Sequence, residues 1–99
     1  MKLINALDQI QETQDENNDV IFAKKPWTLD SEADVRPLDV DLHVPKEIVD
    51  IGLTYFLEIN IAKEVLEVFE ERVPTDEERY AVLIYYAEND AYPDWIYNP

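Results

Sequence analysis

Asp39, Asp41 and His43 fall at i, i+2 and i+4 in the stretch LDVDLHV. On a β-strand that spacing puts two carboxylates and an imidazole on one face, each about 6.6 Å from the next. Such donors could hold a divalent cation or supply an acid–base pair. Three groups in a straight row diverge, however, and closing a site would take a fourth ligand from a curved or paired neighbour. The opposite face of the same stretch carries Leu38, Val40, Leu42 and Val44. A half-solvated strand shows that alternation without any chemistry. The expectation is that Asp39 and Asp41 face a partner or solvent. A small metal-binding protein using Asp39, Asp41 and His43 is an alternative.

Two further groups carry charge in a pattern. Glu64, Glu67 and Glu71 stand at i, i+3 and i+7, one face of a helix. Like charges at this spacing cost about 0.2–0.5 kcal/mol per pair, and Lys63 and Arg72 relieve only part of it. Such a face is either plainly solvated or an electrostatic surface kept at a small cost in stability. The second group closes the chain, in YAVLIYYAENDAYPDWIYNP. Tyr85, Tyr86, Tyr92, Trp95 and Tyr97 are interleaved there with Glu88, Asp90 and Asp94. Chain termini lie mostly at the surface, and Tyr and Trp are enriched among interface hot spots. Carboxylates beside them would meet Arg or Lys through charge-assisted hydrogen bonds. Asp39, Asp41, Glu88, Asp90, Asp94 and Trp95 are therefore the candidate partner-binding residues. The competing reading docks the terminal rings onto the protein's own core.

No reaction is announced. His43 is the single histidine, there is no cysteine, and one glycine cannot build a phosphate-binding loop. No nucleophile–base arrangement stands out. A glycosidase-like carboxylate pair means little in a chain with 23 acids. The expectation is a non-enzyme with no catalytic residue, no cofactor and no bound metal. The net charge of −15, from 23 acids against eight Lys and Arg, argues against direct binding to nucleic acid or anionic membrane, which need a cationic face. It favours a basic protein partner. The N-terminus lacks a signal-like apolar run, and no stretch approaches the ~20 apolar residues of a membrane helix, so a cytoplasmic location is expected.

These groups must be positioned by one domain, residues 1–99, since the length leaves no room for two cores. Leu3, Ile4, Ala6, Leu7 and Ile10 predict an amphipathic helix from Leu3 to about Thr13. VIFA, Val20 to Ala23, predicts a buried strand. DSEAD reads as a turn, and Leu38 to Val44 as the second strand, with Pro37 at its start or marking it as an edge. PKEIVDIG predicts a short helical turn. LTYFLEI is strand or helix start; its Thr, Tyr, Phe and Ile favour a strand, with Asn60 as the N-cap of the next helix. Ile61, Val65, Leu66, Val68 and Phe69 form the stripe of that helix. Thr75 with Glu78 makes a capping box for a last helix, about Asp76 to Asn89. That helix is apolar all round from Tyr80 to Ala87, which predicts cover on most sides. The order predicts an α+β domain: a small antiparallel sheet of about three strands packed against three helices.

Three segments carry a resemblance. VIFAKKPWTLDSEADV, IGLTYFLEINIAKEVLEVF and LIYYAENDAY resemble, in order and spacing, an uncharacterised family of small acidic bacterial proteins. That family looks like the type encoded beside polymorphic toxins, including those of contact-dependent growth inhibition. Trp27, Leu29 and Asp30 match its Trp-x-Leu-Asp segment; Gly52, Leu53 and Tyr55 match Gly-Leu-x-Tyr. Tyr85, Tyr86, Asn89, Asp90 and Ala91 match Tyr-Tyr-x-x-Asn-Asp-Ala. None of these motifs is catalytic. The resemblance implies an immunity protein that neutralises a cognate toxin, with a nuclease the expected target. A DNA-mimic inhibitor of a host nuclease is an alternative that shares the electrostatic logic.

Overall fold

The computed structural model describes residues 1–12, 19–37 and 44–97. Its strands are β1 (Asp19–Ala23), β2 (Ala33–Pro37) and β3 (Thr54–Glu58). Its helices are α1 (Leu3–Asp8), α2 (Lys46–Asp50), α3 (Ile59–Leu66) and α4 (Asp76–Asn89), with 3₁₀ turns at Glu67–Phe69 and Asp94–Ile96. The strands form one antiparallel sheet in the order β2-β1-β3. The architecture is α+β, as the residue pattern predicts.

The central strand explains the packing. Val20, Ile21, Phe22 and Ala23 are all fully buried, because β1 is covered on both faces. Ile21 and Ala23 join the main core with Leu3, Leu7 and Ile10, Ala62, Val65 and Leu66 of α3, and Val82 and Leu83 of α4. Val20 and Phe22 point the other way, against Ile48 of α2, Leu53 and Val44. An uninterrupted apolar run is the signature of such two-sided burial.

β3 departs from simple alternation. Phe56 and Leu57 are adjacent, yet both are buried. Ile21 stands opposite Leu57 while Phe22 stands opposite Tyr55, so Phe56 is the extra residue of a bulge. The bulge turns Phe56 into the main core, where Trp27 meets it edge-on at 4.9 Å between ring centroids. The Trp27 indole N–H donates to the Ala23 carbonyl at 3.2 Å, and the Thr54 hydroxyl donates to the same oxygen at 3.1 Å. The loop after β1 is thereby tied to β3.

Several boundaries differ from the sequence expectation. The expected strand from Leu38 to Val44 lies outside the described residues except for Val44. The second strand of the sheet is β2, which begins inside the expected turn, and Pro37 ends it. Chain flow from β3 into α3 has no loop: Glu58 is the extended residue before the helix, Ile59 is its first, and Asn60 lies within the first turn rather than capping it. The buried Ile59 requires that early start. α4 is not enclosed. Val82 and Leu83 are buried, but Ala81 is exposed and Tyr85 keeps 40 % of its surface. Since α4 lies at the surface of a chain this short, one of its faces meets solvent.

The capping box at α4 forms as expected. Thr75 Oγ1 accepts from the Glu78 N–H at 3.1 Å, and a Glu78 carboxylate oxygen accepts from the Thr75 N–H at 3.0 Å. That backbone hydrogen bond, foremost, holds the Glu78 carboxyl below the usual glutamate range, with Arg72 assisting. A lowered folded value means the carboxylate stabilises the fold at neutral pH, and the contribution fades as pH falls through the folded value. Thr75→Ala should lower unfolding free energy by about 1 kcal/mol, read from urea midpoints. Glu78→Gln should flatten the acid side of the Tm-against-pH profile relative to wild type.

Candidate functional site

The last twenty residues contain Glu88, Asp90 and Asp94 and no lysine or arginine. Their path over the fold decides which other charges they meet. After α4 the chain passes Asp90 and Ala91, and Tyr92 packs against Tyr86 at 5.3 Å between ring centroids. Burial pushes the Tyr92 hydroxyl above the usual tyrosine range, and neighbouring Tyr86, Tyr97, Glu64 and Glu67 push it further. Glu64 is exposed on α3 and Glu67 on the turn after it. Trp95 stacks on Phe69 at 6.4 Å and remains 37 % exposed; Tyr97 is 68 % exposed. Ile96 and Tyr97 border a cleft of about 320 Å³ with Val68, Phe69, Glu70 and Arg72.

Negative charge is unevenly relieved around this surface. From Glu58 to Glu71 there are five acids and a single cation, Lys63. Arg72 is engaged by Glu78 at 2.9 Å and lies over the Phe69 ring. Arg79 pairs with Asp76 and, at 3.9 Å, with Asp8. Lys2 and Arg36 pair with Asp30 and Asp34 at the far edge of the sheet. These exposed pairs contribute little to stability, but they place four of the chain's eight cations beside other acids.

The sequence-selected residues divide into groups. Asp94 and Trp95 sit on the surface just described. Glu88 is exposed on the last turn of α4 and lines a cleft of about 270 Å³ with Lys25, Pro26, Trp27 and Ala87. Asp90 lines a different cleft of about 270 Å³, on the far side of Ala87, with Tyr55, Ile61 and Tyr86. Glu88 and Asp90 are therefore neighbours in sequence that serve separate clefts. Asp39, Asp41 and His43 lie outside the described residues. Among the described residues, no group of three or more His, Cys, Asp and Glu side chains is close enough to hold a metal ion. Glu71 does not share the helical face of Glu64, because α3 ends at Leu66. The terminal rings divide too: Tyr92 is half-buried, whereas Trp95 and Tyr97 keep exposed surface. Sequence reasoning missed Tyr55 and Ile61 as cleft residues. The available signal was Tyr55 itself, a large ring in a strand that also had to bury Phe56 and Leu57.

A model of a domain family of unknown function, DUF7716, matches residues 1–95. The chain belongs to that family. No curated protein and no solved structure matches it. In this DUF7716 chain no helix among the described residues is long and apolar enough to cross a membrane.

The end of α4 is poorly optimised for stability. Its last turn has no basic residue, and Asp90 follows it in the left-handed conformation, φ 53° and ψ 36°. A carboxylate there opposes the negative end of the helix dipole. Asn is neutral and, like Gly, is a residue found in the left-handed position at helix ends. Asp90→Asn should raise unfolding free energy by about 0.5 kcal/mol, measured by urea denaturation, while weakening any cationic partner.

Proposed function

We propose that this chain is a protein-binding module whose acidic, aromatic surface docks a cationic protein, and that the partner is a toxin domain. In that reading it is an immunity protein acting in the cytoplasm, as the resemblance implies, and it neutralises a nuclease by occupying the basic surface that would hold nucleic acid. The observation that carries the docking reading is the packing of Tyr92 on Tyr86 and of Trp95 on Phe69, in the turn that opens on the exposed Glu67. It sets Asp94, Trp95 and Tyr97 beside the turn after α3, which carries Glu67 and Glu70. Half-exposed rings supply apolar contact, and carboxylates supply steering and charge-assisted hydrogen bonds. Electrostatic attraction of this kind speeds association to as much as about 10⁸–10⁹ M⁻¹s⁻¹ at low salt.

Co-expression with the product of the adjacent gene tests the proposal. The expected result is a stable complex and protection of cells from that product. A product that neither binds nor is neutralised would contradict it.

A further inference from the structure

The two edges of the sheet are treated differently. At the β2 edge, the N-terminus covers the start of the strand. The Ala33 N–H donates to the Met1 carbonyl and the Leu3 N–H to the Ser31 carbonyl, both at 2.8 Å, and the Lys2 backbone lies antiparallel to that of Glu32 in an isolated β-bridge. β3 is the opposite edge. Its inner side pairs with β1, and among the described residues no strand pairs with its outer side. An open edge offers a row of amides and carbonyls to any extended chain.

That edge has a receiving surface beside it. The cleft between β3 and the end of α4 is lined by Tyr55, Ile61, Tyr86, Ala87 and Asp90, with Phe56 and Leu57 also at its wall. Tyr55 is 41 % exposed. No lysine or arginine lines this cleft. Asp90 lies at its wall, and Glu58 ends the strand, opposite Val20 of β1.

We propose that β3 accepts an extended segment of a cationic partner as a fourth strand. Alternate apolar side chains of that segment enter the cleft beside α4, and the Lys or Arg residues between them meet Glu58 and Asp90. The inference rests on the reading that the partner is a cationic protein. Main-chain hydrogen bonds supply affinity in this mode, and the pocket selects alternate side chains. The charge distribution argues against a second copy of the chain as the occupant. Pairing two β3 edges would bring together two molecules of net charge −15 each, an association opposed by like-charge repulsion.

The test uses the full chain and a synthetic peptide of about eight residues, alternating lysine and valine, the length of a typical strand with overhang. Binding is read together with amide hydrogen exchange. The expected result is slowed exchange across Thr54–Glu58. A peptide of equal charge, N-methylated at alternate residues so that it cannot donate to β3, should bind at least ~10-fold more weakly. Ala87→Trp, which fills the cleft, should weaken the unmodified peptide similarly. Equal affinity for the two peptides, protection elsewhere than β3, no binding of either, or dimerisation of the chain through β3 would each overturn the proposal. A complex with the adjacent gene product that leaves Thr54–Glu58 unprotected would overturn the strand-addition mode alone and leave the docking function standing.

Discussion

Phe56→Ala should remove about 3–5 kcal/mol of unfolding free energy. The ring is fully buried in the main core, and the bulge that turns it inward also fixes the register of β3 on β1. Its loss leaves a cavity and strips Trp27 of its edge-on partner. That contact is worth about 0.5–1.5 kcal/mol beyond area burial. A domain of this length has a total stability on the order of 5–15 kcal/mol, so the variant should be largely unfolded in mild urea. Phe56→Leu, which keeps most of the volume, should cost under about 1.5 kcal/mol. Urea midpoints at unchanged slope measure both. Trp27 fluorescence in a Trp95→Phe background reports the loop directly. An alanine variant as stable as the leucine variant would show that Phe56 is not the bulge residue of the core.

The second large effect concerns association. Glu64→Gln with Glu67→Gln should slow association with the adjacent gene product by about 10-fold or more at low salt, and the deficit should shrink as salt screens the surface. The control is Glu47→Gln with Asp50→Asn on α2, which packs on the other side of the sheet. Both double variants remove two negative charges from −15. Equal slowing by the two would mean that net charge alone, without a localised surface, governs encounter. The α3 variant should also be slightly more stable than wild type, because Glu64 and Glu67 are like charges one turn apart. Opposite signs for stability and binding are what a surface kept for recognition predicts.

Some of this was legible in the residues. β1 announced itself, because a strand covered on both faces needs an unbroken apolar run. The capping box of α4 is local chemistry, set by Thr75 and Glu78 three residues apart. β2 was not legible: Ala-Asp-Val-Arg-Pro has poor strand character, and the pairing with β1 supplies what local preference lacks. The burial of consecutive Phe56 and Leu57 was hidden for a related reason, since a bulge depends on the partner strand. α4 looked apolar on every side because tyrosine counts as apolar in a pattern, yet Tyr85 presents its ring to solvent. The candidate site divides along the same line. Glu88, Asp90, Asp94 and Trp95 could be picked out by residue type. Their sorting into different clefts, and the packing of Trp95 on Phe69, arise from tertiary packing between segments more than twenty residues apart.

The most direct measurement is amide hydrogen exchange on the chain, free and in complex with the product of the adjacent gene. The account predicts slowed exchange in residues 64–69 and 90–97, where Trp95 packs on Phe69 beyond the end of α3. Protection confined to α2, or an unchanged exchange pattern with no complex formed, would contradict it.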